Sequence, residues 1–513
     1  MEPGREVELK LSIPPDRLAR VMRSPQLRPP GARRAVTRAL RNVYYDTPRL
    51  TLREQGIMLR VRESGRRYLQ TVKSTAGSAA GLFRRGEWET PLTGPQPDLA
   101  TVHQLPELHG TLSPIFRSDI RRTTRLLQLG NSASIEMAID RGVVQTTNAS
   151  APICELELEL RDGNADALFD LALALNELAP LHLETVSKSD RGYLLLTEAQ
   201  VASRRATPLR LDTAMSASDA LSAILNHSLV HLIANEAAAR QGHDPEGVHQ
   251  MRLALRRLRS ALTVFRPLLP GAIVARLRGE LKWLAAELGA ARDLDVLIDT
   301  QLAPVTAAFG EEAALQRLEE LARNARGAAY ERVRTACDTT RYTGLLLEVS
   351  RFGETRTWQE RLDPDALKGL AAPAFEFANA LLTDRHQKAR KRGRRLGMLS
   401  ADERHLLRLA VKKLRYAADS FRSLYSEEAA RPYLKRLSRL QEQLGLLNDI
   451  EIARRFIEQF AAECSAEDGP ALARAGGLVV GWHARNTKRM RRRLAKQWRA
   501  FRSSAPFWRE AAG

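Results

Sequence analysis

Charged and apolar residues alternate in the opening segment EVELKLSI, residues 6–13. Side chains alternate across a β-strand, so Glu6, Glu8 and Lys10 share one face while the apolar residues share the other. The commonest explanation of such a pattern is a surface strand whose polar face meets water. Two carboxylates and an ammonium on one face could also serve an ionic binding site, and the segment alone leaves both interpretations open.

The same alternation recurs in other segments of the first 160 residues. LRVR places Arg60 and Arg62 on one face, and LQTVK closes with Lys73. Acidic residues share faces in GEWE, IEMAID and CELELEL, which hold Glu87 with Glu89, Glu136 with Asp140, and Glu155 with Glu157 and Glu159. A domain rarely gives so many strand faces to charges of both signs unless those faces meet. We therefore predict that the strands close into a barrel whose charged faces line a lumen.

Such a lumen would have a defined chemistry. Carboxylates two residues apart on a strand lie roughly 7 Å apart, and in a poorly screened interior their repulsion is costly unless a cation is present. Carboxylate oxygens suit a hard divalent ion, so we expect Mg²⁺, with Mn²⁺ as the other option. Arginines and lysines beside that ion would bind a multiply charged phosphate compound.

The wider sequence indicates at least two domains. Short alternating segments separated by turn residues continue to about residue 160, which predicts an antiparallel β domain. The segment NADALFDLALALNELAP then has helical spacing and ends at a proline. Residues 198–214 have neither period and lead to Ser216 and Ser218, which could cap a long helix. Beyond them nearly every segment has a 3.6-residue period, so we predict an all-α domain.

An internal repeat lies in the helical part. VHQMRLALRRLRSA starts at residue 248 and aligns with RHLLRLAVKKLRYA, which starts at residue 404, so the offset is 404 − 248 = 156. The repeat implies two related helical halves. The basic row comprises His249, Arg252, Arg256, Arg257 and Arg259 in the first copy and His405, Arg408, Lys412, Lys413 and Arg415 in the second.

A charged helix face is most often merely solvated, but this one recurs with identical spacing. That recurrence favours a binding site for a flexible chain of phosphates. His227, His231 and Asn235 share a helix face and either join this site or are satisfied interior polar residues. The basic runs at 385–396 and 488–496 are interpreted as generic solvated or electrostatic surface.

Composition agrees with these interpretations. The chain has 513 residues, 44% of them hydrophobic and 27% charged, and we expect two to four domains. Neither a signal segment nor an apolar run of membrane length is present, so we expect a cytoplasmic protein with no membrane contact. The three cysteines, Cys154, Cys337 and Cys464, suggest neither a disulfide framework nor a zinc site.

The net charge of +20 is uneven. Residues 1–200 contain 27 basic and 24 acidic residues, so their net charge is 27 − 24 = +3, which leaves 20 − 3 = +17 for the rest. A polyanion is the expected partner of the basic part. Nucleic acid is disfavoured, because the basic segments lack interleaved aromatic residues and a recognisable docking motif.

An ordered set of motifs in residues 5–195 resembles the CYTH family, the triphosphate tunnel metalloenzymes. These motifs are Glu-x-Glu-x-Lys at 6–10, YYDTP, GIMLRVR, RGEWE, FRSDIRRT, IDRG, ICELELEL and SKSDRGY. The family includes inorganic triphosphatases, thiamine triphosphatases and some adenylate cyclases. The resemblance implies an eight-stranded antiparallel tunnel.

The resemblance also implies roles for individual residues. Metal ligands would be Glu6, Glu8, Glu155, Glu157 and Glu159, and substrate would be held by Lys10, Arg60, Arg62, Lys73, Arg85, Arg122 and Lys188. We assign catalytic roles to Glu6, Glu8, Lys10 and Lys73. Ser118 stands where the family usually has threonine, and the sequence leaves open whether Arg121 or Arg122 faces inward.

The duplicated basic row resembles the CHAD family, whose helical domains consist of two four-helix bundles, bind inorganic polyphosphate and often follow a CYTH domain. The resemblance runs from about residue 215 to the closing APFW. The second copy has Lys412 and Lys413 where the first has arginines, and lysine offers a point charge where arginine offers a fork. We therefore expect the two halves to differ in binding strength.

We expect a multidomain α+β chain. Residues 1–200 would form the tunnel, 201–214 a linker and 215–511 the helical domain, with halves at about 215–360 and 370–511. The expected function is metal-dependent hydrolysis of inorganic triphosphate, by in-line attack of water on a terminal phosphorus, together with polyphosphate binding by the helices. The alternative is a binding protein on polyphosphate granules with little turnover. The oligomeric state is left open.

Overall fold

The computed structural model describes most of the chain. The described residues are 7–28, 34–74, 78–79, 82–83, 87–99, 111–129, 133–197, 202–310, 312–463, 469–485 and 487–509. Their contacts divide the chain into two compact units. Unit 1 comprises Met1–Ala202 with Cys337–Thr357, and unit 2 comprises Ser203–Ala336 with Trp358–Gly513.

Unit 1 contains one antiparallel sheet. Its strands are β1 (Val7–Ser12), β2 (Val36–Asp46), β3 (Ile57–Ser64), β4 (Arg67–Ser74), β5 (Ser78–Ala79), β6 (Leu82–Phe83), β7 (Glu87–Leu92), β8 (Ser113–Leu129), β9 (Ala133–Gln145), β10 (Ser150–Gly163) and β11 (His182–Leu183). Eight of them have six or more residues, and β5, β6 and β11 have two each. The prediction of an antiparallel β domain is confirmed.

The strand order is β5-β6-β1-β10-β9-β8-β2-β3-β4-β7, with β11 paired to β1. Leu82 and Phe83 pair with β1 at one end of this order, and residues 87–92 pair with β4 at the other. One short stretch of chain therefore reaches both ends of the sheet. This pairing brings the eight longer strands around a common interior.

Alternation along the strands separates an apolar outer face from a charged inner face. Leu9 of β1 is opposite Leu158 of β10, and Leu11 is opposite Leu156. All four side chains are fully buried. Burying them on the outer side, at about 25 cal/mol per Å² of apolar surface, stabilises the curved sheet.

The helices of both units, in chain order, are α1 (Leu18–Met22), α2 (Thr51–Glu54), α3 (Asp166–Leu178), α4 (Lys188–Leu196), α5 (Ala217–Ile233), α6 (Glu236–Gln241), α7 (Pro245–Val264), α8 (Gly271–Val296), α9 (Ala303–Phe309), α10 (Ala313–Cys337), α11 (Thr340–Glu354), α12 (Pro364–Ala371), α13 (Ala374–Arg392), α14 (Ala401–Phe421), α15 (Glu427–Glu463), α16 (Gly469–Ala484) and α17 (Thr487–Arg502). None of the described helices is long and apolar enough to cross a membrane.

Unit 1 includes a helix from far along the chain. Its helix α11 packs on α3. Arg351 of α11 donates hydrogen bonds to Asp166 at 2.7 Å and to Asp170 at 2.8 Å. Asn176 of α3 donates to the Thr340 carbonyl at 2.7 Å. The sequence gives no sign of this contact, and the expected domain boundaries at 200 and 215 stay predictions.

Among the described residues of unit 2, the regular secondary structure is helical, as predicted, apart from one isolated bridge between Ser216 and Pro373. Ser216 caps α5, because its hydroxyl accepts a hydrogen bond from the Asp219 amide at 3.1 Å. The two copies of the repeat occupy equivalent positions. The first copy lies on α7, which packs between α5 and α8, and the second lies on α14, which packs between α13 and α15.

The core of the second half of unit 2 is aromatic. Tyr433, Phe501 and Trp508 are buried around His386, which is 4% exposed. The His386 Nδ1 atom lies 2.8 Å from the Tyr433 hydroxyl. Burial lowers the pKa of His386 to about 4, so this histidine is neutral at pH 7.

Candidate active site and basic helical surface

Inward-facing side chains of the eight longer strands line one cavity of about 660 Å³. Its charged lining residues are Glu8, Lys10, Arg60, Arg62, Lys73, Glu87, Glu89, Arg122, Glu136, Asp140, Glu157, Glu159, Arg161 and Lys188. They come from seven of those strands and from α4, and the eighth strand, β2, contributes the uncharged residues Leu40, Asn42 and Tyr44. The acidic and basic rows read from the separate segments therefore converge on a single interior.

Lys188 lies at the centre of a buried carboxylate cluster. Its Nζ atom is 2.8 Å from Asp140 Oδ2, 2.8 Å from Glu155 Oε2 and 2.7 Å from Glu157 Oε1. The lysine is the first residue of α4, whose start is fixed by the Ser187–Asp190 capping box. Burial alone would lower the pKa of Lys188, but the three carboxylates outweigh burial and raise that pKa. The lysine is therefore charged at neutral pH.

Arg122 binds the same cluster from β8. Its Nε atom donates to Asp140 Oδ1 at 2.7 Å, and its guanidinium also donates to Glu157. Lys10 adds a third cation, with Nζ 3.0 Å from Glu157 Oε1. Although burial acts to raise the pKa of Glu157, the cations led by Arg122 hold that pKa well below its usual range. Arg122 is the inward-facing member of its pair, and Arg121 is exposed.

A second acidic row crosses three neighbouring strands. Glu8 is opposite Glu159, and Glu159 is opposite Glu136 on its other side. Burial raises the pKa of Glu159 to about 7, and the nearby carboxylates of Glu136 and Glu8 act in the same direction against Arg161. Among the described residues, the buried Glu8 Oε1 atom has no hydrogen-bond partner. Directly opposed side chains lie close together, so these carboxylates fit a divalent cation.

A basic wall lies on β3 and β4. Lys73 Nζ is 2.7 Å from Glu87 Oε2, and Arg60 Nη2 is 3.7 Å from Glu87 Oε1. The neighbouring Arg60 guanidinium, together with burial, lowers the pKa of Arg62 to about 10. Repulsion between these arginines means that an anion bound beside them would relieve an unfavourable interaction.

Two buried polar side chains orient Arg62. Arg62 Nε donates to Asn42 Oδ1 at 3.1 Å, and Asn42 Nδ2 donates to Ser118 Oγ at 3.0 Å. Ser118 is fully buried. The residue that departs from the CYTH pattern therefore still supports an arginine of the cavity.

The basic rows of unit 2 meet at Tyr416. The Arg256 guanidinium of α7 lies 4.6 Å from the centre of the Tyr416 ring of α14, and Lys412 Nζ lies 5.9 Å from the same centre. Arg256 and Lys412 are equivalent in the repeat, since 412 − 256 = 156. Burial, followed by the charges of Arg256 and Arg408, lowers the pKa of Lys412 to about 8. The two copies thus contribute to one basic surface.

The other predicted members of the rows have varied surroundings. Arg252 donates to the Gly289 carbonyl at 2.8 Å and to Asp293 Oδ1 at 3.1 Å. Arg415 Nε lies 3.5 Å from Asp419 Oδ2. Partly buried residues are His249, Arg257 and Arg408, and exposed residues are Arg259, His405 and Lys413.

The neighbouring polar residues of α5 and of the residues that follow it make local hydrogen bonds. His231 is 4% exposed, and its Nε2 atom lies 2.9 Å from Gln250 Oε1. Asn235 accepts from the Arg204 amide at 2.7 Å and donates to the Arg204 carbonyl at 2.9 Å. His227 Nε2 lies 2.7 Å from the Thr207 carbonyl. Of the two interpretations, the interior one fits His231 and Asn235, while His227 is only partly buried.

Comparison with known proteins gives a family for each part. The CYTH domain description matches residues 4–193, and the CHAD domain description matches residues 223–458. The chain contains a CYTH domain followed by a CHAD domain. This confirms both resemblances and the α+β fold class.

Individual relatives match parts of the chain. An inorganic triphosphatase of Haemophilus influenzae is 36% identical over 163 residues, which are 30% of this chain and 46% of that protein. The chain thus spans about half the length of this curated relative. The crystal structure of the CHAD domain from the plant Ricinus communis has 32% identity and a TM-score of 0.51, and covers 59% of this chain and 97% of that one.

Three predicted residues of the CYTH domain are not among the described residues that line the cavity. Glu6 and Arg85 lie outside the described residues. Glu155 does not line the cavity and is buried beside Arg191, whose Nη2 atom is 3.1 Å from Glu155 Oε1. The remaining predicted CYTH residues lie on the cavity wall.

Other cavity residues were not assigned roles from the sequence. Asp140 and Glu136 already shared a strand face, and Arg161 continues the two-residue spacing of Glu155, Glu157 and Glu159, so the alternation contained the signal for all three. The role of Asn42 could not be predicted from the sequence, because a single amide side chain in a strand does not indicate a particular chemistry.

Proposed function

We propose that the CYTH domain hydrolyses inorganic triphosphate and that the CHAD domain binds polyphosphate. The observation that carries the first part is the arrangement of the cavity, where the Glu8–Glu159–Glu136 row faces an interior also lined by the cations of β3 and β8. A multiply charged phosphate chain is complementary to the cations. The similarity to a relative named inorganic triphosphatase supports this proposal.

In this proposal a divalent metal, with Mg²⁺ preferred over Mn²⁺, is held by Glu8 and Glu159 with help from Glu136. When bound, the ion would neutralise phosphate charge and polarise the phosphorus–oxygen bonds. The cluster of Asp140, Glu155 and Glu157 is a weaker candidate, because the Lys188 ammonium already lies between these carboxylates. Glu6 keeps its expected role as a ligand.

The cations of the cavity hold the substrate. Arg60, Arg62 and Lys73 bind phosphate oxygens from one side, and Lys10, Arg122 and Lys188 bind them from the other. Arg85 keeps its expected role in substrate binding. Neutralising the leaving phosphate in a confined interior favours its departure, because charge is poorly screened there.

Water then attacks the terminal phosphorus in line with the leaving oxygen. A carboxylate of the acidic wall, either Glu8 or one of the β10 glutamates, orients that water or accepts its proton. Among the described residues that line the cavity, Tyr44 is the one aromatic, and its ring is 2% exposed and stacks on Phe116. A nucleobase would find no exposed ring to stack on, which favours an inorganic substrate.

The test compares Glu8→Gln with Glu63→Gln in the full chain. Glu63 lies on β3 but does not line the cavity. We expect phosphate release from tripolyphosphate, with Mg²⁺ present, to fall at least ~100-fold in Glu8→Gln and to stay near wild type in Glu63→Gln. Tripolyphosphate, longer chains, ATP and thiamine triphosphate would be compared. Unchanged turnover in Glu8→Gln would remove the cavity from the mechanism.

Polyphosphate binding by the CHAD domain rests on the meeting of α7 and α14. Equivalent cations from both copies of the repeat surround the Tyr416 ring. Replacing Arg252 and Arg408 with Gln should weaken retention of polyphosphate of every chain length, and the binding should decrease with added salt. If wild-type protein bound polyphosphate but turned over no triphosphate, the granule-binding alternative would be preferred.

A further inference from the structure

The two basic runs that were interpreted as generic surface meet in unit 2. Helix α13 ends at Arg392, and the next residue, Gly393, is buried against the Trp498 ring of α17. A Cβ atom at position 393 would lie 2.2 Å from the Trp498 ring, which is too close for any side chain. Glycine therefore lets the end of α13 contact α17.

Exposed cations cover both segments around this contact. Six lie within residues 388–395 and seven within residues 489–502. Together they form what is called here the α13–α17 surface. No aspartate or glutamate occurs between residues 469 and 509. The cations on α17 therefore have no acidic neighbours on their own segment.

This composition opposes the stability of α17. Arg489, Arg492, Lys496 and Arg499 follow one another at spacings of three or four residues, which places like charges on adjacent turns. The first turn has no acidic residue, although the helix dipole favours negative charge there. A bound polyanion would relieve both effects.

Two surface arginines of α10 are paired with acidic residues of their own helix. On α10, Arg323 pairs with Glu319 and Arg334 pairs with Glu331. A surface that merely keeps the protein hydrated can mix charges in this way. The unmixed charge of α17 therefore indicates a binding role.

The α17 helix that carries these cations is anchored in the core of unit 2. Leu494, Trp498 and Phe501 are buried at spacings of four and three residues, so one face is fixed in the core. At 1.5 Å per residue, the row from Arg489 to Arg499 spans about 15 Å, enough for several phosphates. The aromatic rings of this helix are buried, which leaves none for stacking on nucleic-acid bases.

We propose that the α13–α17 surface is a second binding surface for inorganic polyphosphate. It is distinct from the basic rows of α7 and α14, and its two segments lie on either side of α14 in the chain. This inference rests on the proposed binding of polyphosphate by the CHAD domain. A long chain occupies both surfaces and a short chain occupies one, so affinity depends on chain length.

The experiment uses the full chain with Arg489, Arg492, Lys496 and Arg499 all replaced by Gln. We expect the Kd for polyphosphate of about 100 residues to rise at least ~10-fold, while the Kd for chains of about ten residues changes less than ~2-fold. The slope of log affinity against log salt concentration for the long chain should fall by about 3. Hydrolysis of tripolyphosphate and the far-ultraviolet circular dichroism spectrum should match wild type.

A matched control removes the same charge elsewhere. Arg266, Lys282, Arg332 and Lys368 are exposed, lie apart from one another and would be replaced by Gln. Equal weakening in this control would attribute the effect to net charge and overturn the proposal. Unchanged binding of long-chain polyphosphate by the α17 variant would also overturn the proposal. If the variant lost binding of single-stranded RNA but kept binding of polyphosphate, the surface would be a nucleic-acid site and the proposal would again be wrong.

Failure of the underlying function gives a different result. If wild-type protein bound no polyphosphate, both proposals would fall. If the variant with Arg252→Gln and Arg408→Gln bound short chains normally, the basic rows of α7 and α14 would not be a polyphosphate-binding site. The comparison of the α17 variant with its control would still test whether the α13–α17 surface binds polyphosphate. The two proposals therefore fail in distinguishable ways.

Discussion

The pH dependence of polyphosphate binding should report on Lys412. The pKa of this lysine is lowered to about 8 by burial and by the charges of Arg256 and Arg408. A lowered pKa means that the side chain is charged below pH 8 and loses its proton as the pH rises through 8. A bound polyanion favours the charged form, so affinity should fall over that range.

The size of the effect follows from the proton equilibrium. The affinity that depends on charged Lys412 scales inversely with 1 + 10^(pH − 8), provided that bound polyphosphate keeps the lysine charged up to pH 9. Between pH 7 and pH 9 the Kd should therefore rise about 10-fold, which corresponds to about 1.4 kcal/mol. The free energy of unfolding changes in the opposite direction. The unfolded lysine keeps its proton up to a higher pH than the folded one, so stability should rise between pH 8 and about pH 10.

The assay is the Kd for long-chain polyphosphate at constant ionic strength from pH 7 to pH 9. Lys412→Arg keeps the charge over this range and should give a nearly flat profile. Lys413→Arg changes the exposed neighbouring lysine and should retain the wild-type slope. Terminal phosphates also titrate, but they affect all three proteins alike. Identical profiles for wild type and Lys412→Arg would refute the assignment.

Three further predictions concern the fold. Lys188→Met removes the buried cation that contacts Asp140, Glu155 and Glu157. The free energy of unfolding should fall by about 3–5 kcal/mol. A change below about 1 kcal/mol in denaturant titration would contradict the stabilising role of these contacts. Gly192→Ala would place a Cβ atom 2.3 Å from the Phe116 ring and should cost about 1–3 kcal/mol, so an unchanged melting temperature would contradict that packing. The pKa of His386 is lowered to about 4. Stability should therefore fall as the pH drops from 6.5 towards 4, because the unfolded histidine takes up a proton that the folded one does not. His386→Gln should flatten that dependence in unfolding titrations at pH 7 and pH 5.

The cavity could be predicted from the sequence because strand alternation is a local rule. Glu8, Arg60 and Glu157 reach a common interior for the same reason that Leu9 and Leu158 reach the apolar side. The tandem Arg121 and Arg122 could not be oriented, because only the pairing with β9 decides which faces inward. The position of Lys188 among three carboxylates likewise depends on how α4 packs over β9 and β10.

In the helical unit, spacing predicted the basic rows but not their meeting. Tyr416 has Ser260 as its equivalent in the first copy, since 416 − 156 = 260, so the repeat contains no hint of the shared ring. In the sequence Gly393 indicates only the end of a helix. Its contact with Trp498, which brings the basic runs at 385–396 and 488–496 together, is visible only in the structure. Tertiary contacts of this kind have no periodic signature.

The docking of α11 on α3 has a consequence for biosynthesis. The CYTH match ends at residue 193 and α11 begins at Thr340, so the 339 − 193 = 146 residues between them must be translated first. At the usual pace of a ribosome this is a delay on the order of ten seconds. During that interval the face of α3 that later packs against α11 is uncovered. In a fragment that ends near residue 205, this face of α3 would stay uncovered permanently.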